Sequence, residues 1–195
     1  ERLNRKYKVI SSGTNSHTIK YSRDYDYVTA KKHLVGWWKL DESSGSTATD
    51  SSGNGNNGTN TNSATVTAIG YDNTANGAYS FVAASSNYIN IGASISNINT
   101  ISLWINPDDI TSVGIIKLHS TPIDIEIDGS NKINLNGFSN PSIYINGTLD
   151  TIGSTSLSSI SQSVWTHICI TTTTSITSHD SHTFIGYDGT NYYDG

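Results

Sequence analysis

Cysteine, proline and charged residues are all scarce in this chain. Its 195 residues include 1 cysteine and 3 prolines, and only 14% of them are charged. A single cysteine cannot form a disulfide within the chain, so packing must stabilise the fold. No stretch approaches the roughly 18 to 20 consecutive apolar residues of a membrane helix, and the start of the chain lacks the apolar core of a signal peptide. The sequence therefore predicts no membrane span, while its recurrent short apolar runs exclude disorder along the whole length.

Positive charge is concentrated in the first part of the chain. Residues 1–34 contain eight basic and three acidic residues, whereas the remainder contains three basic and thirteen acidic residues. Apolar residues alternate with the charges of the first segment, which is typical of strands. We therefore expect a basic N-terminal arm or strand pair at residues 1–33 and a separate domain at residues 34–195. The arm is expected to dock on an acidic protein surface of an assembly partner rather than on nucleic acid.

The remainder of the chain has the pattern of an all-β domain. Short segments with apolar residues at alternate positions, bounded by Gly, Asn and Ser, recur at residues 36–40, 78–82, 88–91, 101–105, 115–118, 123–127, 133–135, 143–145, 165–170 and 183–187. No stretch shows the 3.6-residue period of an amphipathic helix. Pairs such as Asn146-Gly147 and Asp188-Gly189 are typical of tight turns between antiparallel strands. We expect an antiparallel sandwich or jelly roll of two sheets, with the Ser-, Thr- and Asn-rich segments 43–67 and 148–163 mostly as solvated loops.

Several segments carry a resemblance to a known family. Residues 35–45, with the sequence Val-Gly-Trp-Trp-Lys-Leu-Asp-Glu-Ser-Ser-Gly, and residues 50–59 resemble the opening of a laminin-G-like domain of the concanavalin A-like lectin and glucanase type. Residues 101–107 and 142–147 are similar in style to later family segments. The resemblance extends over residues 34–195 and implies a two-sheet antiparallel jelly roll.

The chain departs from the family pattern in two places. The strand at residues 142–147 precedes the Trp-Thr-His strand at residues 165–167, whereas many relatives place it afterwards. The chain also stops at residue 195, where relatives continue into a last strand that commonly carries paired Asp residues. We therefore expect the domain to lack that strand, so one sheet edge is open or filled by the arm or another chain. This departure also puts a family metal site in doubt.

One loop has the residue types of a cation site. Asp50, Ser52 and Asn54 present oxygen atoms at alternate positions around a glycine turn, which is the chemistry that calcium requires. Thr61 stands where an EF-hand loop would have a bidentate glutamate. Two interpretations therefore remain: a calcium site completed by distant carboxylates, and an Asx-turn that ends a strand.

An acidic strand is the nearest approach to a catalytic constellation. Because side chains alternate across a strand, Asp124, Glu126 and Asp128 are expected on one face. Laminarinase-type glycoside hydrolases, which share the fold that the resemblance implies, place Glu, Asp and Glu in a comparable run. The order of residue types is reversed here, so we favour a solvent-facing acidic strand over a glycosidase site.

Aromatic loops supply the candidate ligand site. Exposed tyrosine can stack on the apolar face of a sugar while Asn, Asp and Gly groups bind its hydroxyls. The candidate ligand-binding residues are Tyr71 and Asp72 in one loop and Tyr187, Asp188, Asn191, Tyr192 and Tyr193 in another. The tryptophans are instead expected in the core: Trp37, Trp38, Trp104 and Trp165.

These observations predict a non-catalytic recognition or adhesion module. Its expected partner is a glycan or a protein surface, with calcium as the one candidate cofactor. By resemblance, such domains occur in extracellular, cell-surface and virion proteins, so we expect an extracellular or surface-exposed location. A structural role in a virion or surface assembly, anchored by the basic arm, is the alternative, and a laminarinase-like glycosidase is the third hypothesis.

Overall fold

The computed structural model describes residues 8–12, 16–20, 33–178 and 180–195. Within these ranges the chain forms sixteen strands and two short 3-10 turns. The strands are β1 Lys8–Ser12, β2 Ser16–Lys20, β3 Thr47–Ala48, β4 Gly58–Thr61, β5 Thr65–Ala68, β6 Ala78–Ser80, β7 Tyr88–Asn90, β8 Ile98–Ile105, β9 Val113–His119, β10 Ile123–Ile127, β11 Lys132–Asn136, β12 Ser142–Ile145, β13 Thr148–Ile152, β14 Thr155–Ser159, β15 Thr166–Ile176 and β16 Phe184–Ile185. The 3-10 turns are Ala83–Ser85 and Asp180–His182.

The chain divides into two compact units, Glu1–Leu34 and Val35–Gly195. In the first unit, β1 and β2 form an antiparallel pair in which Lys8 lies opposite Lys20. Apart from His33, the remaining residues of the predicted basic arm lie outside the described residues.

The second unit is built from antiparallel sheets. One sheet has eight strands in the order β14-β11-β10-β9-β16-β7-β4-β3, and another has four in the order β13-β12-β15-β8. Strands β5 and β6 form a separate antiparallel hairpin. This architecture confirms the predicted all-β, antiparallel sandwich class. Among the described residues, no helix has the length and apolar character needed to cross a membrane.

A core of mainly isoleucine lies between the two large sheets. The eight-stranded sheet contributes Ile125 and Ile127 of β10 and Ile133 of β11, and the four-stranded sheet contributes Ile143 and Ile168. All five side chains are completely buried. All belong to one hydrophobic cluster. Each such side chain contributes about 1.5–3 kcal/mol through its removal from water. Because side chains alternate along a strand, this core directs the intervening residues to the outer faces of the sandwich.

Two segments predicted as solvated loops contain strands. Residues 43–67 contribute β3, β4 and β5, and residues 148–163 contribute β13 and β14. Their Thr and Ser residues suit a pleated surface, and small residues such as Ala48 and Ser156 face inward. In the opposite sense, the segment at residues 36–40, predicted as a strand, forms only an isolated bridge between Trp38 and Asp50.

Asp150 connects the edge strands of the two sheets. Its carboxylate accepts the backbone N–H groups of Leu157 at 2.5 Å and Ser158 at 3.1 Å, and the Ser158 hydroxyl also donates to it. Asp150 lies on β13 of the four-stranded sheet, whereas both donors lie on β14 of the eight-stranded sheet. Burial opposes ionisation, but the hydrogen bonds outweigh it and lower the pKa of Asp150.

We expect Asp150→Ala to reduce the free energy of unfolding by about 2 kcal/mol at neutral pH, because it removes charge-assisted hydrogen bonds between sheets. A carboxylate with a lowered pKa stabilises the fold above its unfolded pKa, and this contribution disappears as pH falls through the folded pKa. Urea unfolding at neutral pH and below about pH 3 checks both points. Asp109→Ala is the control, because Asp109 accepts hydrogen bonds from Thr111 two residues away rather than from another strand. An equal loss at both pH values would contradict the explanation.

Candidate functional site

Carboxylates and amides line the outer face of the eight-stranded sheet. Asp124 and Glu126 alternate with the buried isoleucines of β10 and therefore point away from the core. Asn136 lies opposite Asp124, and Asn134 lies opposite Glu126, on the neighbouring strand β11. We call these four side chains the acid–amide row. The predicted common face of Asp124 and Glu126 is thus found in the structure.

Hydrogen bonds hold the acid–amide row together. Asn136 Nδ2 donates to Asp124 Oδ1 at 2.7 Å, and Asn134 Nδ2 donates to Glu126 Oε1 at 2.8 Å. Asn136 Nδ2 also lies 3.5 Å from Glu126 Oε1. The Thr155 hydroxyl donates to Asn134 Oδ1 at 3.0 Å. Since each carboxylate oxygen can accept more than one hydrogen bond, the row keeps acceptor capacity for hydroxyl groups.

Asp124 is the most confined carboxylate of the row, with only 7% of its surface exposed. Burial raises its pKa, the Asn136 hydrogen bond opposes that effect, and the charges of Asp188 and Glu126 raise the pKa further. Lys117, directly opposite Asp124 on β9, acts in the other direction. The net result is a pKa above the usual range. The predicted solvent-facing acidic strand is therefore corrected at Asp124, which is buried, whereas Glu126 is partly exposed.

Asp128 does not share the face of the other two carboxylates. Strand β10 ends at Ile127, and Asp128 lies in the turn that follows. Asp128 Oδ1 accepts the backbone N–H groups of Ser130 at 2.8 Å and Lys132 at 3.0 Å. The predicted three-carboxylate face is therefore corrected to two carboxylates, because turn formation takes the third one out of the strand.

A cluster of four aromatic rings lies on the same face. Tyr187 and Tyr192 stack with ring centroids 4.4 Å apart and an interplanar angle of 18°. Tyr88 on β7 contacts both of them, with centroids 5.7 and 6.3 Å away. Phe184 on β16 completes the group, 5.3 Å from Tyr88 and 5.5 Å from Tyr187. All four rings, here named the tyrosine cluster, are partly exposed.

A tight loop presents two of these tyrosines. Tyr187 and Tyr192 form an antiparallel bridge, and the Asp188 carboxylate accepts the backbone N–H groups of Thr190 and Asn191, each at 2.7 Å. Asp188 is buried, so its role is to hold the loop rather than to contact a ligand. Burial raises the pKa of Tyr187, and the neighbouring Tyr192 and Asp188 raise it further, so its hydroxyl remains a hydrogen-bond donor.

Gly114 on β9 allows this loop to lie against the sheet. A Cβ atom at position 114 would stand 2.4 Å from Asn191 O and 2.6 Å from Asp188 Cγ. Gly114 lies directly opposite Glu126. The absence of a side chain at this position therefore brings the loop and its tyrosines beside the acid–amide row.

The row and the cluster belong to one surface. Lys117 of β9 lies opposite Asp124 of β10 and also opposite Phe184 of β16. The tyrosine cluster therefore begins on β16, two strands from the part of the row on β10. Two strand spacings amount to about 10 Å. The surface thus combines ring faces with a line of carboxylate and amide groups over a short distance, and both parts are positioned by paired strands.

Not every predicted ligand-binding residue belongs to this surface. Tyr187, Asn191 and Tyr192 belong to it, with Asp188 as their support. Tyr193 instead lies in the core, 7% exposed, with its ring edge-to-face against Phe81. Tyr71 and Asp72 lie in the turn between β5 and β6, where Tyr71 stacks on Trp104 of the four-stranded sheet.

The expected core position of Trp104 is corrected by the structure, which leaves 42% of this side chain exposed. Leu103 and Ile105 occupy the inward positions of β8, so Trp104 between them must face outward. Trp38 does pack against the core, while Trp37 and Trp165 are partly exposed. Leu103, Trp104 and Ile105 are all apolar, so the sequence alone does not show which of them face the core.

Five residues of the surface were not identified from the sequence: Tyr88, Lys117, Asn134, Asn136 and Phe184. Two signals were available, since Asn134 and Asn136 alternate with apolar residues in β11, and Tyr88 precedes the buried Ile89 in β7. The pairing of β7 with β16 and of β10 with β11 was needed to bring these residues together.

The Asp50 loop is a hydrogen-bonded turn. Asp50 Oδ1 accepts the backbone N–H groups of Trp37 and Ser52, each at 2.9 Å, and Asp50 Oδ2 accepts that of Asn56 at 3.0 Å. Burial opposes ionisation, but hydrogen bonds from Ser52, Trp37 and Asn56 outweigh it and lower the pKa of Asp50. The Ser52 hydroxyl oxygen accepts the Asn54 backbone N–H at 3.2 Å.

This donor set fits an Asx-turn better than a calcium site. The Asp50 oxygens already accept three backbone N–H groups, whereas a calcium ion would need those lone pairs and several further oxygen ligands. Across the described residues, no group of three or more His, Cys, Asp or Glu side chains is arranged to hold a metal ion. Occupation of the Asp50 oxygens by backbone N–H groups is what argues against calcium at this loop.

Replacing Asp124 by Asn tests the electrostatic description of the row. In the unfolded chain Asp124 has its ordinary pKa, about 4, whereas in the folded chain its pKa is higher. Ionisation of Asp124 therefore destabilises the fold as pH rises from the unfolded pKa through the folded pKa. We expect Asp124→Asn to raise the free energy of unfolding by about 1 kcal/mol at neutral pH, and to have little effect in acid. Denaturant unfolding across pH measures this difference.

Asp128→Asn is the matched control, because it makes the same chemical change where the carboxylate accepts two backbone N–H groups. This variant should lose stability at neutral pH, since charge-assisted hydrogen bonds are weakened. An Asp124→Asn protein less stable than the wild type at neutral pH would contradict the description of Asp124.

Comparisons with known proteins were made at three levels. No family model matches the chain, no curated protein matches it, and no solved structure matches its fold. The interpretation of the surface therefore rests on its residues, their contacts and general chemistry.

Proposed function

We propose that the sandwich is a non-catalytic recognition module that binds a glycan on the outer face of its eight-stranded sheet. The observation that carries the proposal is the tyrosine cluster beside the acid–amide row. A module of this kind acts where glycans are displayed, so an extracellular or surface location accompanies the proposal. Binding of a protein surface by the same face is the less favoured version of this proposal. A protein interface has a broad polar rim, whereas the polar groups of this face are arranged in a short line.

The chemistry of the two parts is complementary to a sugar. Tyrosine ring faces, such as that of Tyr192, are suited to the apolar C–H face of a pyranose ring. Glu126, which is partly exposed, can accept hydrogen bonds from sugar hydroxyls, while amide groups such as that of Asn134 can both donate and accept. A ligand bridging cluster and row would use both kinds of contact, which is typical of small-ligand sites.

Prearrangement supports this assignment. The row is fixed by hydrogen bonds between neighbouring strands, and the Asp188 carboxylate fixes the loop that carries Tyr187 and Tyr192. A ligand therefore meets side chains that are already ordered, which reduces the entropy lost on binding.

A glycosidase is the second candidate, favoured by one observation. Asp124, with its raised pKa, has the property of a general acid, and Glu126 is its neighbour in the row. Asp124 Oδ1 and Glu126 Oε1 lie 2.7 and 3.5 Å from the same nitrogen, so these oxygens are at most 6.2 Å apart. Retaining glycosidases need about 5–5.5 Å between carboxyl groups. We favour binding because both carboxylates accept amide hydrogen bonds and Asp124 is nearly inaccessible.

A glycan array tests the proposal with the purified chain, first with calcium and then with a chelator. We expect binding that the chelator does not change, because the Asp50 oxygens are occupied by backbone N–H groups. Tyr192→Ala should weaken binding at this face at least about tenfold, since one stacking ring is worth on the order of 1.4 kcal/mol. Calorimetry on the best ligand from the array measures the affinity.

Tyr144→Ala is the control variant, because Tyr144 is a partly exposed tyrosine of β12 on the other sheet. Binding lost equally in both variants would contradict the assignment to this face. Binding abolished by the chelator would restore the calcium interpretation of the Asp50 loop. Hydrolysis of β-glucans that disappears in Glu126→Gln would replace the binding proposal by the glycosidase, and no binding at all would favour the structural role in an assembly.

A further inference from the structure

A second aromatic group lies on the outer face of the other large sheet. Tyr71 and Trp104 stack with ring centroids 4.3 Å apart and an interplanar angle of 6°. The His167 ring lies 5.0 Å from that of Trp104. These three rings, named here the Trp104 platform, are distinct from the tyrosine cluster because they belong to β8, β15 and the β5–β6 turn. Trp104 is 42% exposed and Tyr71 is 53% exposed.

The strands fix two of the three rings. His167 lies directly opposite Trp104 in the pairing of β15 with β8. Ser102, two residues before Trp104, shares its outward face, and Ser102 Oγ lies 2.9 Å from His167 Nε2. A hydroxyl and an imidazole therefore stand beside the exposed tryptophan, at positions that the core-facing Leu103 and Ile168 determine from the other side of the sheet.

The third ring is held by a compact turn. Gly70 N donates to Thr74 O, and Asn73 N donates to Gly70 O, both at 2.9 Å. Asp72 Oδ1 accepts the Thr74 N–H at 3.0 Å, and hydrogen bonds from Thr74 lower the pKa of Asp72. The turn thus orders the backbone on both sides of Tyr71. Stacking on Trp104 then places the Tyr71 ring before any ligand arrives, which limits the entropy lost on binding.

We infer that the Trp104 platform is a second saccharide site, which takes a neutral sugar ring on its exposed aromatic surface. Tyr71 and Trp104 form a contiguous exposed aromatic patch, and contiguous patches, unlike single exposed rings, are typical of interaction sites. The platform offers ring faces, a hydroxyl and an imidazole. The neighbouring Asp72 carboxylate accepts the Thr74 N–H within the turn, so an uncharged polyhydroxylated ligand with one apolar face is the best complement of the platform.

The second site makes the domain bivalent. Because the two sheets share one core, their outer faces point in opposite directions, and one molecule can bind two separate glycan chains. The inference rests on the proposed function for the class of ligand, but on different residues for the site. The two proposals can therefore fail independently.

Calorimetry with soluble neutral hexasaccharides of glucose, galactose and mannose tests the inference on the full chain. We expect two ligands per chain for the wild type and one for Trp104→Ala. Tyr71→Ala should weaken binding at this site at least tenfold; it changes a turn and leaves the sheet intact, so it keeps the test valid if Trp104→Ala does not fold. Leu149→Ala, an exposed apolar residue of the same sheet, is the control and should keep two ligands.

The site variants separate the two proposals. Tyr192→Ala should also leave one ligand per chain, bound at the platform, and the Tyr71→Ala, Tyr192→Ala double variant should leave none. A single ligand that Tyr192→Ala abolishes and Trp104→Ala leaves unchanged overturns this inference alone. A single ligand with the reverse dependence overturns the proposed function alone. No saccharide binding overturns both, and a dimer in sedimentation analysis that Trp104→Ala dissociates would make the platform an interface between copies and overturn the inference.

Discussion

The alternation of isoleucine with polar residues in β10 and β11 is the constraint on which the candidate surface depends. Ile125 and Ile133 are completely buried between the sheets, so the carboxylates and amides between them must face outward. A shift of one residue in this pairing would place Glu126 in the core and expose the isoleucines. The free energy of core packing therefore holds the acid–amide row in place, and the row needs no separate scaffold.

A second constraint acts through a single small residue. Gly114 lets the loop of residues 187–192 lie on the sheet, since a Cβ atom there would collide with the loop backbone. Tyr187 and Tyr192 reach Tyr88 through the pairing of β16 with β7, which joins segments almost one hundred positions apart in the chain. The surface is thus a product of long-range strand order rather than of any one motif.

This explains how far the sequence could predict the structure. Local alternation identified the class and the start of β10, and Asn146-Gly147, both with positive φ, forms the predicted tight turn between β12 and β13. Strands rich in Thr and Ser were missed because they bury small residues instead of large apolar ones. The exposure of Trp104 and the separation of Asp128 depended on register and on where a strand ends, and local patterns determine these poorly.

The burial of Asp124 is a second reason, beside the tyrosine cluster, to regard the outer face as more than a solvated surface. Solubility alone would be served by exposed carboxylates, and it would not require one that lies nearly covered beside Glu126 and Asp188 with Lys117 as its compensating charge. An arrangement that reduces stability is typical of functional sites. In the proposed function, sugar hydroxyls donate to the partly exposed Glu126 as water does, and stacking on the nearby tyrosines adds the free energy that water cannot supply.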